Sequence, residues 1–305
     1  MLFDKQADLL LTVLPHIGKD TDFALHGGTA INFFVRDMPR ISVDIDLTFL
    51  PILDRDETLR SISQKLELIS KSIISAIPSV TVENKKDVQE KLIIKLFVKK
   101  HGAIVKIEPN LIIRGTVFGC EQRDLAKKAE EVFEKFVTIN TLSFAQLYGS
   151  KICAALDRQH PRDMFDIMLL FQNEGITEEV RKAFIVYLVS HNRTMAELLA
   201  PNLKDMKAVY DKEFADMSSL DVTYENIENV RKELIETINN DFTDDERMFL
   251  ISFKEGDPKW ELLGIDDVKK MPAVQWKLYN LRKMDQTKHE EAINQLKKVM
   301  DEGGG

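Results

Sequence analysis

Cysteine is nearly missing from this chain. Cys120 and Cys153 are the only two in 305 residues, too few and too far apart for a zinc site or a disulfide framework. A reducing cytoplasm is therefore the expected home. Long apolar runs are missing as well. No stretch of about 18 apolar residues occurs, so no segment reads as a membrane span. The opening MLFDKQADLLLTVLPHIGKD carries acids early and reads as an amphipathic helix instead of a signal peptide. Positive charge is in deficit. A formal net charge of −8 argues against a general nucleic-acid coat, while leaving room for a local basic groove. His16, His26, His101, His160, His191 and His289 show no metal-ligand spacing. Neither GxxxxGK(S/T) nor GxGxxG appears, which excludes a P-loop enzyme and leaves dinucleotide binding without support. Tracts of small residues reduce to the terminal Gly303-Gly304-Gly305, which reads as a frayed tail or a tag remnant.

What is present suits a globular protein, with 44% hydrophobic and 30% charged residues. The length suggests about two domains. The first 120 or so residues mix helix and strand signals. A helix is expected near 4–16, a strand at 22–26, a helix at 29–36, and strands at 42–49, 91–99 and 103–113. Apolar spacing in DETLRSISQKLELISKSIISA predicts a helix over 56–76 that crosses between strands. Asn84-Lys85-Lys86-Asp87 reads as a polar turn. From about 121 the pattern becomes almost wholly helical, starting with EQRDLAKKAEEVFEKF and continuing through SFAQLYGSKICAALDR and PRDMFDIMLLFQ. No fixed period marks a repeat. The expected architecture is a mixed-sheet domain followed by a helical one, with a cleft between them as the default ligand site.

One stretch, FALHGGTAINFFVRDMPRISVDIDLTFL, breaks the rule that a strand protects its core. Side chains alternate along a strand, so Arg40, Ser42, Asp44 and Asp46 share one face while Ile41, Val43, Ile45 and Leu47 take the other. Asp44 and Asp46 stand roughly 7 Å apart at Cα. Their repulsion is of order 2 kcal/mol at an effective dielectric of about 20. A hard cation with oxygen ligands, such as Mg²⁺, reverses that penalty. Upstream, His26-Gly27-Gly28-Thr29 follows a short apolar strand and opens a helix. Glycines let backbone N–H groups approach an anion, and a helix N-terminus favours one. Gly-Gly alone reads as a plain turn; followed by a helix and Asp-x-Asp, it reads as a phosphate cradle beside a metal-binding pair. GAIVKIEPNLII adds Glu108, in phase with Lys106 and Ile104. Glu108 reads either as an exposed edge glutamate or as a third carboxylate able to complete a metal site or deprotonate a hydroxyl.

HGGTA, RISVDIDL and VKIEPN together resemble the nucleotidyltransferase superfamily that shares the DNA polymerase β catalytic core. SKICAALDRQHPRDMFDIMLL resembles the second signature of one branch, the AbiEii/AbiGii toxin family that includes the MenT toxins. Lys151, Ala154, Ala155, Arg158, Arg162, Asp163 and Asp166 occupy its positions. The resemblance implies an α+β fold, with a polymerase β-like catalytic domain over 1–120 and a helical domain over 121–302 that brings Lys151 and Asp166 to the cleft. It implies that Asp44, Asp46 and Glu108 hold Mg²⁺ or Mn²⁺, and that Gly27, Gly28, Thr29 and Ser42 meet the phosphates of an NTP co-substrate. Lys151 would neutralise charge on the nucleotide and Asp166 would hold the nucleotide or orient Lys151. Arg158 and Arg162, one turn from Asp163 and Asp166, read equally well as structural ion pairs.

The resemblance further implies growth arrest through nucleotide addition to RNA at the tRNA acceptor end, a cognate antitoxin encoded nearby, no membrane association and a monomer. An enzyme acting on a small molecule or protein, and a nucleotide-binding regulatory module without turnover, are the rival readings. For an RNA acceptor the expected basic groove is built from Lys95, Lys99, Lys100, Lys106, Arg123, Lys127 and Lys128.

Overall fold

The computed structural model describes residues 2–302; the terminal glycines lie outside the described residues. The chain divides into two compact units, Met1–Ser143 with Met217–Leu220, and Phe144–Asp216 with Asp221–Gly305.

In chain order the first unit runs α1 (Leu2–Ile17), β1 (Phe23–His26), α2 (Gly27–Ala30), β2 (Asp44–Phe49), α3 (Arg55–Ala76), β3 (Thr81–Lys86), β4 (Ile93–Lys100), β5 (Ala103–Asn110), β6 (Cys120–Asp124), α4 (Lys127–Phe133) and β7 (Thr138–Leu142). Among the described residues these strands form one seven-stranded mixed sheet in the order β3-β4-β5-β2-β1-β7-β6. The crossover helix appears where its apolar spacing requires: Ile62, Leu66, Ile69 and Ile73 are buried along one face of α3. Asp54 caps it by accepting from the Glu57 N–H. α1 and α3 pack on each other and against β5 and β4.

Four expectations give way here. Asn84-Lys85-Lys86 is not a turn but the end of β3, antiparallel to β4; the turn is centred on Asp87, whose carboxylate accepts from the N–H groups of Gln89, Glu90 and Leu92. Cys120–Asp124 is strand, not helix, and only Lys127–Phe133 of that segment is helical. The α/β unit therefore continues through β7 to Ser143 instead of ending near 120. Regular pairing of β2 also starts at Asp44, with Arg40 making an isolated bridge to Ser218.

The second unit is helical: α5 (Phe144–Arg158), α6 (Pro161–Gln172), α7 (Glu178–Ser190), α8 (Met195–Leu199), α9 (Lys207–Glu213), α10 (Tyr224–Asp241), α11 (Asp244–Glu255), α12 (Trp260–Leu263), α13 (Pro272–Arg282) and α14 (Gln286–Glu302). Thr177, Thr223 and Thr243 cap α7, α10 and α11 through their hydroxyls. Helices α5 and α7 approach so closely at Gly149 that a Cβ there would stand 2.6 Å from the Phe184 nitrogen. That contact fixes α5, the helix carrying Lys151.

Candidate active site

The central strand of the first unit carries the paired aspartates. β2 runs antiparallel to β1, with His26 opposite Asp46, and parallel to β5, with Asp44 opposite Lys106 and Asp46 opposite Glu108. His26, Asp46 and Glu108 thus form one row across three strands. Alternation holds on both sides of the row. Ile45, Leu47, Val105 and Ile107 are fully buried, while Asp44, Asp46, Lys106 and Glu108 are half-buried on the opposite face.

The Gly-Gly turn is shaped around these side chains. Gly27 has φ +72°, and a Cβ there would come within 2.8 Å of Asp46 Oδ2. At Gly28 a Cβ would meet Arg40 Nη2 at 2.8 Å and Ser42 Oγ at 3.3 Å. Gly27 is favoured by its positive φ, and at both positions the absence of a Cβ lets a carboxylate or a guanidinium lie against the backbone. The Thr29 hydroxyl stands 2.9 Å from the Ser42 hydroxyl and donates to the Asp44 carbonyl. Both hydroxyls are buried and pin α2 to the approach of β2. Their side chains are spent inside the fold, which departs from the expected direct contact with phosphate. Arg40, 4% exposed, puts a cation beside Gly28. The strand phase expected to join Arg40 to Asp44 and Asp46 does not extend to it, since β2 starts at Asp44. Its contact with the glycine turn was not legible in the sequence.

Glu108 stands in the expected strand and phase, but its carboxylate is engaged. Lys95 binds Oε1 and Lys106 binds Oε2, the latter at 2.9 Å. Burial pushes the Glu108 carboxyl up, and hydrogen bonds from Lys95 and Lys106 outweigh that and hold it below the ordinary glutamate value. Burial pulls the Lys106 ammonium down, but the Glu108 hydrogen bond and the charges of Asp44, Glu108 and Asp46 raise it overall. Lys106 thus pairs with Glu108 and lies within the field of Asp44 and Asp46. Among the described residues no group of three His, Cys, Asp or Glu is arranged to hold a metal ion. Asp44 and Asp46 offer two hard carboxylate donors from one face of β2, a set that fits a hard cation, whereas the oxygens of Glu108 are engaged by Lys95 and Lys106.

The expected basic groove is largely neutralised too. Besides Lys95 and Lys106, Lys99 pairs with Glu83, and Arg123 pairs with Glu121. Lys128 reaches Ser219. A groove of about 590 Å³ lined by Asp8, Leu9, Lys100, His101 and Phe133 takes in one of the expected basic residues, Lys100, and none of the expected catalytic or phosphate-binding ones.

In the second unit, Lys151 lies mid-helix on α5 and is 5% exposed. Its ammonium stands 3.1 Å from Asp163 Oδ1 and 2.9 Å from Asp166 Oδ2, both on α6. Arg158 forks onto Asp163, with Nε donating to Oδ2 at 3.1 Å and Nη2 to Oδ1 at 2.8 Å. Burial pushes the Asp163 carboxyl up, but Lys151 and Arg158 hold it below the ordinary aspartate value. Pro161 opens α6, as its place at the corner suggested, and the His160 ring accepts from the Arg162 N–H. Arg162 itself reaches Glu213. Two cations and two carboxylates therefore balance inside this helix pair. Cys153, on the same helix, is core: burial pushes its thiol up to about 12.

The sequence model of the family described as "Nucleotidyl transferase AbiEii toxin, Type IV TA system" matches residues 8–280. Among solved structures, the chain is similar to MenT4, nucleotidyltransferase toxin Rv2826c from Mycobacterium tuberculosis H37Rv, with a TM-score of 0.60 at 13% identity. That likeness covers 98% of this chain and 92% of the other, and at this identity it establishes the fold. No curated protein matches.

Proposed function

The chain belongs to the AbiEii nucleotidyltransferase toxin family, and from that premise we propose that it transfers a nucleoside monophosphate from an NTP to the 3′ acceptor end of tRNA, releasing pyrophosphate and arresting growth. The observation that carries this reading is the packing of the Asp46 carboxylate against Gly27, which sets an Asp-x-Asp pair beside a glycine turn that opens α2.

In this reading the half-buried backbone of Gly27 and Gly28 receives phosphate oxygens, with Arg40 supplying charge beside Gly28. Thr29 and Ser42 hold the turn to β2 and act through position. Mg²⁺ or Mn²⁺ held by Asp44 and Asp46 would neutralise charge on the triphosphate and on the departing pyrophosphate. Glu108 holds Lys106 toward the aspartates. Lys151 offsets negative charge on the nucleotide, and Asp166 orients its ammonium. A cognate antitoxin follows from the toxin family and is proposed as the partner that restrains the enzyme. No helix among the described residues is long and apolar enough to cross a membrane.

The test is direct. The protein is incubated with tRNA, Mg²⁺ and each radiolabelled NTP in turn, and label is followed into RNA, protein and small-molecule fractions. Label in RNA supports the proposal. Label in another fraction moves the acceptor, and label in none supports a binding module without turnover.

A further inference from the structure

Helix α13 leaves two large aromatic rings in solvent. Trp276 is 59% exposed and Tyr279 is 48% exposed. They lie three residues apart on one helical face, stacked at 5.6 Å between centroids with planes 22° apart. Lys283, one turn further on, places its ammonium 4.1 Å from the centre of the Tyr279 ring. The helix is seated from behind: Ala273, Val274, Leu278 and Leu281 are buried. Lys277 donates to the carbonyls of His191, Asn192 and Arg193 at the end of α7. The rings are thus a fixed surface feature and not a loose end.

Charge says what the rings suit. From Val268 to Met284 the chain carries Lys269, Lys270, Lys277, Arg282 and Lys283 and no aspartate or glutamate, in a protein whose net charge is −8. Lys277 is committed to the α7 carbonyls and Lys270 to Asp267. Lys269, Arg282 and Lys283 are exposed, and Lys283 lies over the Tyr279 ring. Flat exposed rings among cations are the recognition elements of unpaired nucleic acid: phosphates meet the cations and bases stack on the rings, whatever their sequence. An RNA acceptor cannot draw in full on the expected cations of the first unit, because Lys95, Lys99, Lys106 and Arg123 are already paired with carboxylates.

We propose that the Trp276–Tyr279 pair, with Arg282 and Lys283, is a stacking platform for unpaired nucleotides of an RNA strand. The proposal rests on the RNA-acceptor reading for its biological occasion, but its chemistry is tested apart from nucleotide transfer.

Trp260 and Trp276 are the only tryptophans, so Trp260→Phe in the full chain leaves Trp276 as the sole reporter. That protein is titrated with a single-stranded RNA 12-mer, with the matching duplex and with polyglutamate, while indole emission is followed. Saturable quenching by the single strand, weaker quenching by the duplex and none by polyglutamate are expected. In parallel, Trp276→Ala with Trp260 intact should weaken binding of a labelled 12-mer by about tenfold or more, and Trp276→Phe should restore much of it. Circular dichroism confirms the fold of each variant.

Equal affinity of Trp276→Ala and the parent overturns the platform, as does absence of quenching by RNA. Equal or stronger response to polyglutamate also overturns it and assigns the face to an acidic protein. If the strand quenches Trp276 while no RNA is labelled by any NTP, the platform stands and the acceptor reading falls. If RNA is labelled while Trp276 stays silent, the reverse holds.

Discussion

The Asp46 carboxylate rests on the backbone of Gly27, so close that a single methyl group would stand 2.8 Å from Oδ2. Gly27 also has φ +72°. Alanine there would cost about 1–2 kcal/mol in backbone strain, and the added methyl would push the carboxylate aside, since a carboxylate tip moves more easily than a strand. We predict that Gly27→Ala melts a few degrees lower but loses most NTP transfer. A variant that transfers like the parent would mean that this contact does not position Asp46.

Asp44→Asn and Asp46→Asn are expected to lower transfer by at least about a hundredfold and to leave the melting temperature without metal nearly unchanged. Each removes one member of a repelling pair on a face whose opposite side carries the packing, and Lys106 keeps Glu108 as a partner. A large thermal loss with transfer intact would make these aspartates structural.

Lys106 brings positive charge to the face that carries Asp44, Asp46 and Glu108, where it would compete with the cation proposed for the aspartates. Replacing it with methionine keeps the stem but removes the competing ammonium. Manganese binding, followed by electron paramagnetic resonance, should then tighten by roughly tenfold, or about 1.4 kcal/mol. Weaker binding would show that Lys106 supports the cation site instead of competing with it.

The Asp163 prediction concerns pH. Its folded carboxyl titrates below the ordinary aspartate value because Lys151 and Arg158 favour the anion. A depressed carboxylate adds stability that is fully present above the unfolded value of about 3.9 and is lost as pH falls through the folded value. Melting curves between pH 6 and pH 3 should show this loss at the acid end, and Asp163→Asn, less stable at pH 6, should show a smaller part of it. An unchanged slope in the variant would remove Asp163 from the account.

Lys151→Ala leaves Asp163 and Asp166 buried without their shared cation, a change worth about 3–5 kcal/mol in comparable pairs. Arg158→Ala should cost less, since that side chain is 59% exposed and Lys151 still reaches Asp163. Activity separates the two further. At a temperature where both remain folded, Lys151→Ala should fail at limiting NTP while Arg158→Ala turns over near the parent rate. Normal turnover by Lys151→Ala would confine it to a structural role.

The sequence made some of this legible for physical reasons. Alternation gave the phase of Asp44, Asp46 and Glu108, because a buried face forces a period of two on any strand at the centre of a sheet. The same logic failed at Thr81–Lys86 and Cys120–Asp124. These strands, β3 and β6, form the two edges of the sheet. Edge strands are solvated and carry charge as a guard against pairing with other chains. The NKK end of the first and the EQRD of the second accordingly read as turn and helix. The engagement of Glu108 was hidden for another reason. It depends on the antiparallel register of β4 and β5, which sets Phe97 opposite Lys106 and so brings Lys95 level with Glu108. The Lys151, Asp163 and Asp166 cluster was visible as spacing, and so was the ion-pair reading of Arg158, but spacing did not show which carboxylate it takes.

The central claim is nucleotide transfer by the Asp44–Asp46 site to RNA. The most direct measurement follows radiolabel from each α-labelled NTP into tRNA, with the parent protein and Asp46→Asn run side by side. The account predicts labelled tRNA and released pyrophosphate with at least one NTP for the parent, and neither for the variant. Equal labelling by both proteins, or label that enters only protein or small molecules, would contradict it.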